Sequence, residues 1–357
     1  MTVNYQLSIF QLSIINYLIF HLSNYQLSII NYLIINYPII QLSIINYLME
    51  RRDFIKSSTS ATSAMLLSPM DMLAAAPLAP TNIQPGFKLK ILATSWGYTG
   101  SVASFCAKVK AEGYDGIEMW WPTLQAEQDE LFAALKTNQL DIGFLVAGHE
   151  SNYAAHLETF KKMLAAAANN HIQKPLYVNC HSGRDYFSFE ENAALVEYGI
   201  AITRQTGIKI CHETHRSRML FASSVAKKYL QQIEGLRITF DVSHWCNVSE
   251  SLLDDQPETL ALTLPRVDHI HARIGHPQGP QVNDPRAPEW EPAVKAHFEW
   301  WDAIVALKQK QGEVLTILTE FGPPDYMPVL PYTKQPVANQ WEINVHMLHL
   351  LRKRYQL

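Results

Sequence analysis

No two cysteines of this chain stand in C-x-x-C spacing; the four (Cys106, Cys180, Cys211, Cys246) are scattered along it. That excludes a zinc ribbon and a thioredoxin-type redox motif. Cys180 and Cys211 are the one pair that the strand pattern described below could bring near each other. The body of the chain has no basic run, and the net charge is −4, so the electropositive footprint of a nucleic-acid groove is missing. Phosphate loops are missing too: "TSWGYTGS" has two glycines, but not as G-x-G-x-x-G, and there is no Walker motif. No apolar run reaches the roughly twenty residues of a membrane helix. In the N-terminal region Asn, Gln and Ser interrupt every such run.

That region, residues 1–48, repeats a few phrases such as "QLSIINYLIF", "NYQLSII" and "NYLIINYPII", with no charged residue before Glu50. A period of roughly ten residues matches no solenoid. The segment is apolar and β-prone, which suits a membrane or aggregating segment. The reading adopted is translated repeat DNA ahead of a true start at Met49. From there "MERRDFIKSSTSATSAMLLSPMDMLAAAP" carries Arg51, Arg52, Phe54 and Lys56 before a mildly apolar Ala/Ser stretch. It resembles a twin-arginine export signal, R-R-x-F-x-K; a plain basic start is the alternative. The expected organisation is therefore a mis-assigned start (1–48), a signal and linker (49–85) and a body (86–357). The expected location is periplasmic, without stable membrane insertion of the mature protein.

From Lys88 the chain alternates short apolar segments with helical patterns. The strand candidates are "LKILATSW", "DGIEMW", "DIGFLVAG", "PLYVNCHSG", "IKICHETH", "RITFDVSHW", "VDHIHARIG" and "VLTILTEFG". Each reads as a parallel strand buried on both faces. Eight such strands, each followed by a helix, predict a (β/α)8 TIM barrel of the α/β class. A doubly wound open sheet is the alternative, and it would be expected to show a glycine-rich loop after its first strand.

The active site of such a barrel lies at the C-terminal strand ends. Here those ends read Trp96; Glu118 and Trp120; His149 and Glu150; His181 and Asp185; Glu213 and His215; Asp241 and His244; His269, His271 and Arg273; Glu320. The stretch "ICHETH" is not the H-E-x-x-H helix of zinc peptidases, because its histidines are three apart and it continues a strand. Alternation points Glu213 and His215 one way and His212 the other. The last four strands supply Glu213, Asp241, His271 and Glu320. Three carboxylates and an imidazole suit one divalent ion: Mn²⁺, Mg²⁺, Co²⁺ or Zn²⁺. Each has a plainer reading: Glu213 paired with Arg216 or Arg218, Asp241 as a helix cap, His271 as a core histidine, Glu320 as a turn residue. His269, two residues deeper on the same strand, reads as core rather than ligand.

The body resembles the xylose-isomerase-like TIM barrels described as sugar phosphate isomerases/epimerases. The resemblance covers roughly residues 88–355 and rests on "GYDGIEMW", "VNCHSGRD", "HETHRSR", "TFDVSHW", "DHIHAR" and "LTEFG", in that order. It implies a Glu, Asp, His, Glu metal set at Glu213, Asp241, His271 and Glu320, and substrate-orienting roles for His244 and Arg273. The implied reaction passes through an enediolate of a ketose or keto-sugar. Glu213 and Glu320 exchange protons beside the carbonyl, and Glu118 and His181 bind further hydroxyls. Trp96, Trp120, Trp245 and Trp290 offer aromatic faces to a sugar ring. The long proline-rich segments 275–290 and 322–339 are expected to cover the substrate.

An export signal suits a sugar without phosphate. If the β-carbon carries a leaving group, the same chemistry makes a lyase of 3-keto-glycosides, the second reading. A non-catalytic sugar-binding protein is the third. The expected partner is a small sugar, with no nucleic acid; a homo-oligomer is compatible with all three readings.

Overall fold

The computed structural model describes residues 83–356, all within a compact unit spanning Ser68–Leu357. The repeat 1–48 and nearly all of the export segment 49–85 lie outside the described residues.

Eight strands run in chain order around a closed parallel barrel: β1 (Lys88–Thr94), β2 (Gly116–Trp120), β3 (Asp141–Ala147), β4 (Tyr177–His181), β5 (Lys209–Glu213), β6 (Ile238–Phe240), β7 (Val267–Ala272) and β8 (Val314–Thr319). The ring closes where β8 pairs with β1, Leu318 opposite Leu92. The helices are α1 (Val102–Glu112), α2 (Gln125–Asn138), α3 (Tyr153–Ala168), α4 (Phe189–Thr206), α5 (Ser223–Gln232), α6 (Val242–Val248), α7 (Pro257–Thr263), α8 (Glu291–Gln311) and α9 (Gln340–Tyr355). This is the TIM barrel that the strand–helix alternation predicts. Among the described residues, no helix is long and apolar enough to cross a membrane, and the four cysteines are buried and free.

Local chemistry sets the helix ends. Ser188 and Glu191 form a reciprocal capping box at the start of α4, which ends at Gly207 with φ 69°. Asn339 caps α9, whose last turn carries Arg352, Lys353 and Arg354, where cations oppose the helix dipole.

The sequence pattern misjudges one element. "RITFDVSHW" reads as a single strand, but β6 ends at Phe240, and Asp241 caps α6 by accepting from the Ser243 amide. His244 and Trp245 are therefore on a helix. Ile238, Phe240 and Val242 keep the alternation of a strand going past its end, and the Asp–Ser capping contact starts the helix instead.

The two ends of the barrel differ in chemistry. At the N-terminal end Asp268 pairs with Arg237 (2.7 Å), Lys209 (3.2 Å) and Lys308 (2.6 Å), a charge network remote from the strand C-termini. In β3, Gly143 leaves space for a neighbour: a Cβ there would lie 2.3 Å from the Tyr177 ring. Tyr177 thus fits inside the barrel against β3.

Candidate active site

The C-terminal mouth holds a cavity of about 300 Å³, bounded by Trp96, Trp120, His181, His215, Arg273 and Tyr326, with Glu213 and Glu320 opening into it. Glu213 ends β5, and its Oε2 accepts from Asn179 Nδ2 (2.7 Å) and lies 2.7 Å from His181 Nε2. Glu320 directly follows β8. Its Oε2 stands 2.9 Å from His271 Nδ1 and 3.2 Å from Arg273 Nη1. Arg273 also contacts Asp241 Oδ2 and, at 2.9 Å, His244 Nε2. The alternation expected of "ICHETH" holds: Glu213 faces the cavity, while His212 faces outward and bonds Ser182 Oγ at 2.7 Å.

Packing so many acidic groups in a buried place perturbs them. Burial pushes the Asp241 carboxyl up to about 6; Arg273 opposes this and Glu320 and Glu213 add to it. Burial would raise Glu213 as well, but His181 and His271 outweigh it and hold that carboxyl well below the usual range. Burial disfavours a charged His271, yet Glu320, Glu213 and Glu118 together raise its pKa well above the ordinary value. The three neighbouring glutamates thus draw positive charge onto the His271 imidazole.

These residues fit a divalent cation. His271 Nδ1 and Glu320 Oε2 are buried and 2.9 Å apart, yet neither has a hydrogen bond of good geometry, which leaves both atoms available to an ion between them. Ligand atoms of Glu213, Asp241 and His271 lie within 4.8 Å of one another. Oxygen donors with one nitrogen match the ions expected from the sequence. Two further groupings share members with this one: His181, Glu213 and His215 at the cavity, and Glu118, His269 and His271 beneath it.

The structure brings Glu213, Asp241, His271, Glu320, Arg273, His181 and His244 into one cluster. Of the expected substrate contacts, Arg273, His181 and Trp120 line the cavity, whereas His244 is fully buried behind Arg273. Two positions are corrected. Trp245 does not reach the cavity: it is fully buried, packs edge-on against Phe240 and donates its indole N–H to Leu220 O. Glu118 lies below the cavity floor, fully buried, bonded by Tyr177 Oη (2.8 Å) and 3.3 Å from both His269 and His271. Burial would raise its carboxyl, but His271 and His269 bring it down to about 2.

Three positions escape the sequence reading. His215 is noted at its strand end without a role; its Nδ1 bonds Arg216 O at 2.5 Å. Asn179 sits mid-pattern in "YVNCH" and holds Glu213. Tyr326 comes from the irregular segment after β8, which expectation placed over the substrate; its ring packs edge-on to Trp96 at 4.8 Å. Gly322 permits this wall, since a Cβ there would lie 2.3 Å from Trp96. The other long segment, 275–290, puts no residue on the cavity wall.

The closed barrel in chain order, with its acidic, histidine-rich mouth, is a (β/α)8 fold, and solved structures share it. A 3-keto-D-glucoside 4-epimerase from E. coli superposes with a TM-score of 0.50 at 15% identity, covering 74% of this chain and 99% of that one. A probable 3-DHS dehydratase from Bacillus anthracis gives 0.46 at 17% identity over 74% and 98% of the two chains. A family 2 AP endonuclease from Brucella melitensis gives 0.43 at 13% identity over 68% and 94%. No family model and no curated protein matches the sequence.

Proposed function

We propose that the protein is a divalent-metal-dependent isomerase or epimerase that moves a proton beside the carbonyl of a ketose or keto-sugar. The observation that carries this reading is the pair of glutamates, Glu213 and Glu320, opening into one cavity from β5 and from the end of β8, with His271 Nδ1 2.9 Å from Glu320 Oε2 and 3.8 Å from Glu213 Oε1. A keto-glucoside, the substrate class of the E. coli epimerase that shares the fold, suits such a site.

Glu213, Asp241, His271 and Glu320 would hold the ion, which supplies Lewis-acid stabilisation of negative charge on substrate oxygens. Glu320, the more accessible of the two glutamates, takes the proton next to the carbonyl. Glu213, gripped by Asn179 and His181, faces the substrate from the neighbouring wall, and the pair return the proton. Arg273 Nη1, already beside Glu320, orients a carbonyl or hydroxyl oxygen. His181 and His215 face further hydroxyls. Trp96 and Trp120 present flat apolar surface to the ring.

The second reading is a lyase that expels the aglycone of a 3-keto-glycoside. It is favoured by the 37% and 44% exposure of Trp96 and Trp120, which leaves an open platform for a second group beyond the reacting sugar. Incubating metal-loaded protein with ketoses and 3-keto-glycosides in D₂O separates the readings. Deuterium entering an intact sugar supports the isomerase or epimerase, and release of an aglycone supports the lyase. Neither outcome, with sugar still bound, leaves the sugar-binding protein. We also propose export by the twin-arginine route from Met49; a reporter fused after residue 85 that stays cytoplasmic in cell fractionation rules it out.

A further inference from the structure

Beneath the cavity the barrel holds a layer of polar groups that no substrate reaches. Glu118 is at its centre, fully buried. Tyr177 Oη donates to its Oε2 at 2.8 Å, and His269 Nε2 lies 3.3 Å from the same oxygen. His269 is itself anchored, with Nδ1 2.7 Å from Thr316 Oγ1 and its ring stacked on Tyr177 at 3.9 Å. The other oxygen, Oε1, has no hydrogen-bond partner, and a buried carboxylate oxygen is costly to leave bare. The donor facing it is His271 Nε2, at 3.3 Å. Asn179 Nδ2, which gives one hydrogen to Glu213 Oε2, lies 3.2 Å from the same ring nitrogen; its second hydrogen suits only a bare Nε2, and an amide nitrogen accepts no proton, so Glu118 Oε1 is the acceptor open to an Nε2–H.

We propose that Glu118 is a positioning residue that keeps the His271 proton on Nε2 and so leaves Nδ1 free to bind the metal. A carboxylate that receives the far ring N–H of a metal-bound histidine fixes both its tautomer and its orientation, and losing such a partner typically lowers metal affinity about 10–100-fold. The inference rests on the proposed metal site. It assigns Glu118 to the ion rather than to a sugar hydroxyl, and it makes Tyr177 and His269 the brace that keeps Glu118 still.

Zn²⁺ affinity, measured by competition with a chromogenic chelator, tests it on wild-type protein and Glu118→Gln, alongside the thermal midpoint of each metal-free form. The expected result is an affinity loss of about 10–100-fold with a metal-free midpoint close to wild type. Equal affinities in two folded proteins overturn the inference and leave the metal reading standing. A wild-type protein that binds no Zn²⁺ overturns both. A second measurement does not depend on the variant folding. In ¹⁵N-histidine-labelled wild-type protein loaded with Zn²⁺, His271 is expected to carry the metal on Nδ1 and a proton on Nε2. The metal on Nε2 overturns the inference.

Discussion

The Arg273 guanidinium lies 4.8 Å over the ring of Tyr326, and that of Arg216 lies 4.9 Å from the same ring. One aromatic side chain thus ties the segment after β8 to the site arginine and to the loop after β5. Each cation–π contact contributes about 0.5–2 kcal/mol. Tyr326→Ala is expected to raise KM about five- to thirtyfold, which corresponds to about 1–2 kcal/mol of lost ordering, and to speed proteolysis within 322–339. Tyr326→Phe keeps the ring and should stay near wild type. Equal kinetics for the Ala and Phe variants would remove Tyr326 from substrate enclosure.

Glu213→Gln and Glu320→Gln are each expected to lower turnover by at least the 10²–10⁴-fold typical of general acid–base catalysis, roughly. Gln keeps an oxygen that can still bind the ion, so metal content belongs in the same experiment. A fully loaded but inactive Glu320→Gln assigns the loss to proton transfer. Near-wild-type activity in either variant removes that glutamate from the mechanism.

His271→Ala should release the ion, whereas His269→Ala should retain it and lose stability. The two rings are on one strand, with centroids 5.0 Å apart, but only His271 stands against Glu320. His269 is stacked on Tyr177 and held by Thr316. A metal titration reversing this order would refute the proposed ligand set.

Acid should destabilise the protein partly through His297. Its Nδ1 donates to Ala293 O (2.8 Å) and its Nε2 accepts from the Gly275 amide (3.2 Å), so only the neutral ring satisfies both partners. Burial lowers its pKa to about 4. The folded value is below that of the unfolded chain, roughly 6.5. Its contribution is therefore complete above the unfolded value and is lost as pH falls through the folded one. Within that window each such histidine adds about 1.4 kcal/mol per pH unit to the slope of stability against pH. Urea titrations between pH 4.5 and 7.5 should show a shallower slope for His297→Gln; an unchanged slope excludes this histidine from acid unfolding.

The barrel was legible because each strand is a short apolar run between turn signals, a pattern that survives without knowledge of neighbours. The limits lie in depth and in irregular backbone. In "GIEMW", Glu118 and Trp120 share a face by alternation, yet one is fully buried and the other 44% exposed. Period two gives the face of a residue but not its height along the barrel axis, so Glu118 reads as a substrate contact. Trp245 misleads for the related reason that the strand ends sooner than the apolar pattern. Tyr326 has no periodic context at all; only the packed structure brings its ring to Trp96 and Arg273.

The alternation of β7 has a consequence for how tolerant the chain is to length changes. His269, His271 and Arg273 point into the barrel at three successive heights, and alternating with them Ile270, Ala272 and Ile274 are buried toward the helices. A deletion of one residue just ahead of His269 would exchange the two sets. The apolar trio would fit a barrel interior well enough, so hydrophobic burial alone would tolerate the slip. What opposes it is the opposite face, where two imidazoles and a guanidinium would be driven among aliphatic side chains without partners, at a cost of several kcal/mol for the charge alone. The groups that line and support the proposed site are thus also the ones that proofread the strand.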